Sequence, residues 1–110
     1  MLAEQVLAQA RENSTNAVSV YSPSADEIAI IKTIVLCNTS AATATFRLFL
    51  DNDGTTYDQG TALAYDVTLN VGQSQFFHTF LAMNNAAGNF AYRSSVANAI
   101  TITLSGAVIT

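Results

Sequence analysis

"RLFLDNDGTTYDQGTALAYDV", residues Arg47–Val67, gathers four of the chain's five aspartates around glycine. Two readings compete for it. A calcium loop of the EF-hand kind needs oxygen ligands at its first, third and fifth positions, glycine at the sixth and a bidentate Glu at the twelfth. Counted from Asp51, the glycine falls fourth and the twelfth residue is Ala62. A chain reversal asks for less, because Asn and Asp tolerate left-handed backbone and glycine takes positive φ freely. "DNDG" meets that need directly after "TATFRLFL". There Ala44, Phe46, Leu48 and Leu50 share one face of a strand, while Thr43, Thr45 and Arg47 share the other. Asp58-Gln59-Gly60 supplies a second turn, and Asp66 lies inside the next strand pattern. The stretch reads as strand, turns, strand.

The same period runs outward in both directions. "AVSVY" stops at "SPSADE", where Pro23 has no N–H to donate to a ladder. "IAIIKTIVLC" is β-branched and apolar on both faces, which predicts a central strand. After the acidic stretch come "ALAYDVTL", the turn "NVGQ", "SQFFHTFLA", the loop "MNNAAGN", "FAYRSSV" and "AITITLSGAVI". Seven or eight short strands separated by turn signals predict an all-β fold, an antiparallel β-sandwich or small jelly roll over residues 17–110. Only the start differs. "LAEQVLAQAREN" is rich in helix formers, with Leu2, Val6 and Leu7 near helical spacing. Residues 1–16 are therefore expected to be a short helical or extended N-terminal arm, docked on a neighbouring subunit because Leu2, Val6 and Leu7 would otherwise face water.

Composition narrows the function. At 110 residues the chain is one domain that can bury a core without staples. Half of it is apolar and only 11% is charged, against roughly 25% in an ordinary domain. Such a surface suits a protein that works packed against something. A net charge of −4, with Arg11, Lys32, Arg47 and Arg93 scattered, argues against nucleic acid and anionic lipid. The longest apolar run is too short to span a bilayer and contains Lys32. "MLAEQVLAQA" lacks the basic start of a signal peptide and carries Glu4, so use without export is expected. Cys37 is the lone cysteine and is expected as a small buried hydrophobe.

No catalytic set emerges, and no enzyme activity, metal or cofactor is expected. One His and one Cys cannot make a zinc site. The five glycines are isolated and form no phosphate loop. His78 sits among aromatics in "FFHTF", on the strand face of Phe76 and Phe80, and is expected to be packed or at an interface. Consecutive Phe76 and Phe77 must point to opposite faces, so one is free to contact another chain. Phe49 on the Thr/Arg face raises the same expectation. The candidate interface is thus Leu2, Val6, Leu7, Phe49, Phe76, Phe77 and His78.

The order of segments from "LAQARENSTNAVSVYSPSADEIAIIKTIVLCNTS" through "DNDGTTYD", and later "FLAMNNAAGNFAYRSSVANAITITLSGA", resembles small structural proteins of tailed bacteriophages. The likeness covers nearly the whole chain, and none of its stretches encodes chemistry. It implies a jelly-roll decoration (cement) protein of the phage head, made in the host cytoplasm and resident on the virion surface. It also implies the major capsid protein and further copies of the chain itself, as a dimer or trimer, as partners. The alternative it leaves is a tail or fibre module that contacts host glycans.

Overall fold

The computed structural model describes Met1–Thr110. It contains eight strands and no helix: β1 (Leu2–Arg11), β2 (Val18–Tyr21), β3 (Ile28–Asn38), β4 (Ala44–Asp51), β5 (Ala62–Leu69), β6 (Ser74–Met83), β7 (Asn89–Ser94) and β8 (Ile100–Ile109). They form two four-stranded sheets, one in the order β1-β8-β3-β6 and the other β2-β7-β4-β5. All pairings are antiparallel.

The pairing is nested. β4 pairs with β5, β3 with β6, β2 with β7 and β1 with β8. The chain is thus one long ribbon folded back at the β4–β5 connection and then rolled up. Rolling adds two further ladders, β3 with β8 and β4 with β7, which close each sheet. This is the jelly roll, and the expected fold class stands. The two ends of the ribbon meet, with the Met1 ammonium donating to the Thr110 carbonyl at 2.6 Å.

Alternation places the core. Ile31, Ile34 and Leu36 of β3, Phe46 and Leu48 of β4, Phe90 and Tyr92 of β7, and Ile100, Ile102 and Leu104 of β8 are buried between the sheets. Phe46 meets Phe77 of the facing sheet edge-on, centroids 6.1 Å apart, the geometry favoured by ring quadrupoles. Tyr92 crosses the sandwich with its polar end satisfied. Its hydroxyl accepts the Glu12 N–H at 2.8 Å and donates to the Ile100 carbonyl at 3.2 Å. Buried Asn38 donates to the carbonyls of Ala42 and Leu69 and accepts from Ser40, which fixes the β3–β4 turn. No buried side-chain polar atom is left without a partner.

Of the helical or extended start expected, the extended form is found, as a strand of the sandwich itself. Leu2–Arg11 is β1, an edge strand laid along β8 with a bulge between Val6 and Ala8. Helix propensity differs among ordinary residues by only tenths of a kcal/mol. A row of ladder hydrogen bonds, plus burial of Leu7, Ala8 and Ala10 against the core, outweighs it. Leu2, Val6 and Leu7 consequently do not share a face. Leu7 packs inward, whereas Leu2 and Val6 are exposed.

The first sheet bends about one point. Leu104 to Gly106 on β8 occupies the same rungs as Ile31 to Ile34 on β3, and β6 needs Phe77 to Leu81 to match. Successive strands take one more residue each, as arcs do with growing distance from a pivot. The pivot is Gly106, where the Ile30 carbonyl approaches so closely that an added Cβ would sit 1.8 Å from its oxygen. Gly106→Ala is expected to cost stability at the upper end of the ~1–3 kcal/mol typical of overpacking, or more. A denaturant midpoint equal to the wild type's would show that the bend does not rest on this contact.

Candidate functional site

β6 supplies the exposed apolar surface. Its burial alternates strictly, with Ser74, Phe76, His78, Phe80 and Ala82 outward and Gln75, Phe77, Thr79 and Leu81 half-buried. Phe76 is 57% exposed and Phe80 69% exposed. Across the outer face of the sheet, Phe76 lies beside Val35 and His78 beside Thr33. The face continues through Thr103 and Ser105 of β8 to Gln9 and exposed Val6 of β1. It is uncharged apart from the Lys32–Glu4 ion pair and Arg11 at its end.

β6 is also the edge of its sheet, so one side of its backbone has no strand partner. Beside that edge, where β6 and β5 flank the opening between the sheets, lies a cleft of ≈ 250 Å³. Ile34, Leu48, Leu63, Ala64, Phe77 and Leu81 give it an apolar lining. It is below the ~300–1,000 Å³ of an ordinary small-molecule site, and fits side chains better.

Of the residues singled out in the sequence, Phe76, Phe77 and His78 come together here. Leu2 and Val6 are exposed on β1, the opposite edge. Phe49 is corrected: it lies on the outer face of its sheet as the alternation predicts, but is 2% exposed. The β4–β5 connection folds over it, setting the Tyr57 ring 6.0 Å away. Phe80 is exposed by the same alternation that exposes Phe76, and Leu63 and Tyr65, which belong to no predicted set, are exposed too. Cys37 is half-buried on the outward rows of β3 rather than in the core.

The acidic stretch holds itself together. The Asp51 carboxylate, 8% exposed, accepts N–H groups from Thr56 at 2.8 Å and Asp53 at 3.2 Å. Asp58 accepts the Gly60 N–H at 2.8 Å. Asp66 stands at a β5 bulge with φ 54° and takes both Arg47 Nε, at 2.6 Å, and Nη2, at 3.1 Å. The Arg47 guanidinium also covers the Tyr65 ring at 4.0 Å. Arg93 approaches Asp66 from β7, two strands away in the same sheet, at 3.9 Å, so one carboxylate neutralises two cations directly opposite each other on β4 and β7. No group of three or more His, Cys, Asp or Glu side chains converges on one point.

No protein-family model matches the chain, and no curated protein does. Among solved structures it is similar to a chain of the T13 IBDV viral particle, with 9% identity and a TM-score of 0.57. That match takes in 98% of this chain and 30% of the other. Chains of infectious bursal disease virus strains Gx and Gt give TM-scores of 0.45 and 0.47, both at 11% identity. They cover 98% of this chain and 30% and 32% of their own. The chain spans about a third of the length of these neighbours, and the first of them shares its fold.

The amides bonded to Asp51, first Thr56 and then Asp53, favour the ionised carboxylate and lower its pKa. A depressed carboxyl pKa contributes stability that is fully present above the unfolded value near ~3.9. That contribution is lost as pH falls through the folded value. Asp51→Ala is expected to lower the melting temperature at neutral pH, and the gap to wild type should close as pH falls below about 4. A gap that stays constant to the lowest pH would show that the charge of Asp51 does not hold the loop.

Proposed function

We propose that the protein is a non-enzymatic structural component of a virion, a decoration or cement protein that binds the outer surface of a shell of major capsid protein. The observation that carries this is the sheet face bearing Phe76 and Phe80: a broad, nearly uncharged surface with exposed aromatics on a rigid jelly roll. Association surfaces are depleted of charge and enriched in aromatics in this way. The fold shared with a chain of a viral particle and the resemblance of the segments to head proteins of tailed bacteriophages point the same way. The protein is made in the host cytoplasm and ends on the capsid surface.

Its partners are the major capsid protein and further copies of itself. Nucleic acid and membrane fit less well, since Lys32 is paired with Glu4, and Arg47 and Arg93 with Asp66. Phosphate recognition needs free, clustered cations. Catalysis also lacks support: His78 is exposed between two phenylalanines, and across the ladder it meets Thr33 rather than a carboxylate. The tail or fibre reading would place host glycans on the outer face of the second sheet, where Tyr65 and Asp66 are exposed. Arg47 already covers a face of that Tyr65 ring and occupies Asp66, so the geometry favours the head.

A cement protein adds bonds across subunit boundaries. Purified protein added to shells that lack it is expected to co-sediment with them and to raise the temperature at which they open. Shells whose opening temperature and sedimentation do not change on addition would contradict the cementing role.

A further inference from the structure

The four edge strands are not equally protected. β1 carries Glu4 and Arg11 and a bulge at Leu7. β2 is four residues long and is followed by Pro23. β5 is broken by two register shifts and carries Asp66 at positive φ. Charge, shortness, proline and bulges are the devices that keep a sheet edge from pairing with another chain. β6, "SQFFHTFLAM", has no charged residue and no proline across ten residues. Its one irregularity, Thr79 and Phe80 opposite Lys32, leaves the alternation of its faces intact.

Self-complementarity then selects the occupant. Directly opposite residues in an antiparallel ladder face the same side, so a two-fold axis must set like-facing residues of β6 against each other. With the axis at His78, Phe76 lies opposite the second copy's Phe80, and Phe80 opposite the second copy's Phe76. His78 meets its own copy. On the inward side Phe77 faces the second copy's Thr79, and Gln75 its Leu81. The added strand lies along the apolar cleft and presents Phe77, Thr79 and Leu81 to it. Aromatic pairs across a ladder stabilise it, and no like charges meet anywhere along the seam.

We propose that two copies of the chain pair through β6, antiparallel about a two-fold axis at His78, joining their β1-β8-β3-β6 sheets into one continuous eight-stranded sheet. This rests on the reading that the chain associates with itself, and it selects a dimer over a trimer.

The full-length protein in solution tests it, without any shell. Sedimentation equilibrium is expected to give a dimer. Phe80→Glu places a carboxylate opposite Phe76 and is expected to weaken the dimer about thirtyfold or more, the scale of an anchor residue worth ~2 kcal/mol. Phe76→Lys is expected to do the same. The double variant sets lysine against glutamate twice across the seam and is expected to recover most of the loss. Both residues are exposed in the single chain, so the unfolding midpoint extrapolated to dilute protein should not move. His78→Cys in a Cys37→Ser background is expected to form a covalent dimer on mild oxidation, because opposed Cα atoms in a ladder, ~4.5–5.5 Å apart, fall within disulfide reach. A wild type that stays monomeric, a trimer, or a dimer indifferent to Phe80→Glu would overturn the pairing. So would failure of the cysteine variant to crosslink. Each of these leaves shell binding, measured separately by co-sedimentation, free to succeed or fail.

Discussion

Everything in this molecule depends on the fold-back between β4 and β5. The ladders are nested around it, so the register set at Phe46–Val67 propagates outward through β3–β6 and β2–β7 to β1–β8. A one-residue slip at the tip would turn every inward side chain of the following strand to solvent. The Asp51 carboxylate stiffens that tip by collecting two loop amides, and Tyr57 seals it over Phe49. The acidic residues that first suggest a cation site therefore serve the turn. Such a fold is dominated by contacts between residues far apart in sequence, and its cooperative unit is the whole ribbon.

Rolling the ribbon produces both the rigid core and the surface that remains unsatisfied. The bend at Gly106 lets β8 pass under the Ile30 carbonyl and lengthens the path of β6 around the outside. That path carries Phe76, His78 and Phe80 to the edge of the sheet, with the inter-sheet cleft beside them. The other edges are blunted by charge, bulge or brevity. What distinguishes the surface is that asymmetry: a thinly charged scaffold with one apolar edge and face exposed.

Much of the fold was legible in the sequence because alternation is a local signal. β2 through β8 lie where the period-two runs place them, whereas the nested order in which they pair is not a local signal. At the start the sequence left helix and extended chain open, for a physical reason. Ala, Glu, Gln and Leu prefer helix by small increments, while the pairing of Leu2–Arg11 with Ile100–Ile109 is a long-range event that no window near the N-terminus contains. The bulges were equally invisible, since each depends on the partner strand. Of the candidate site, the opposed faces of Phe76 and Phe77 were readable from their adjacency. The burial of Phe49 was not, because it is covered by Tyr57 from a loop whose path only the structure gives. That β6 lies at an edge, with its backbone unpaired, is likewise a property of topology alone.

The central claim is that this chain is a building part of a particle and not a catalyst or a rare adhesin. The most direct measurement is its copy number in purified particles, by quantitative mass spectrometry against the major shell protein. A number comparable with that of the shell protein is the predicted result. A handful of copies per particle, or none, would contradict it.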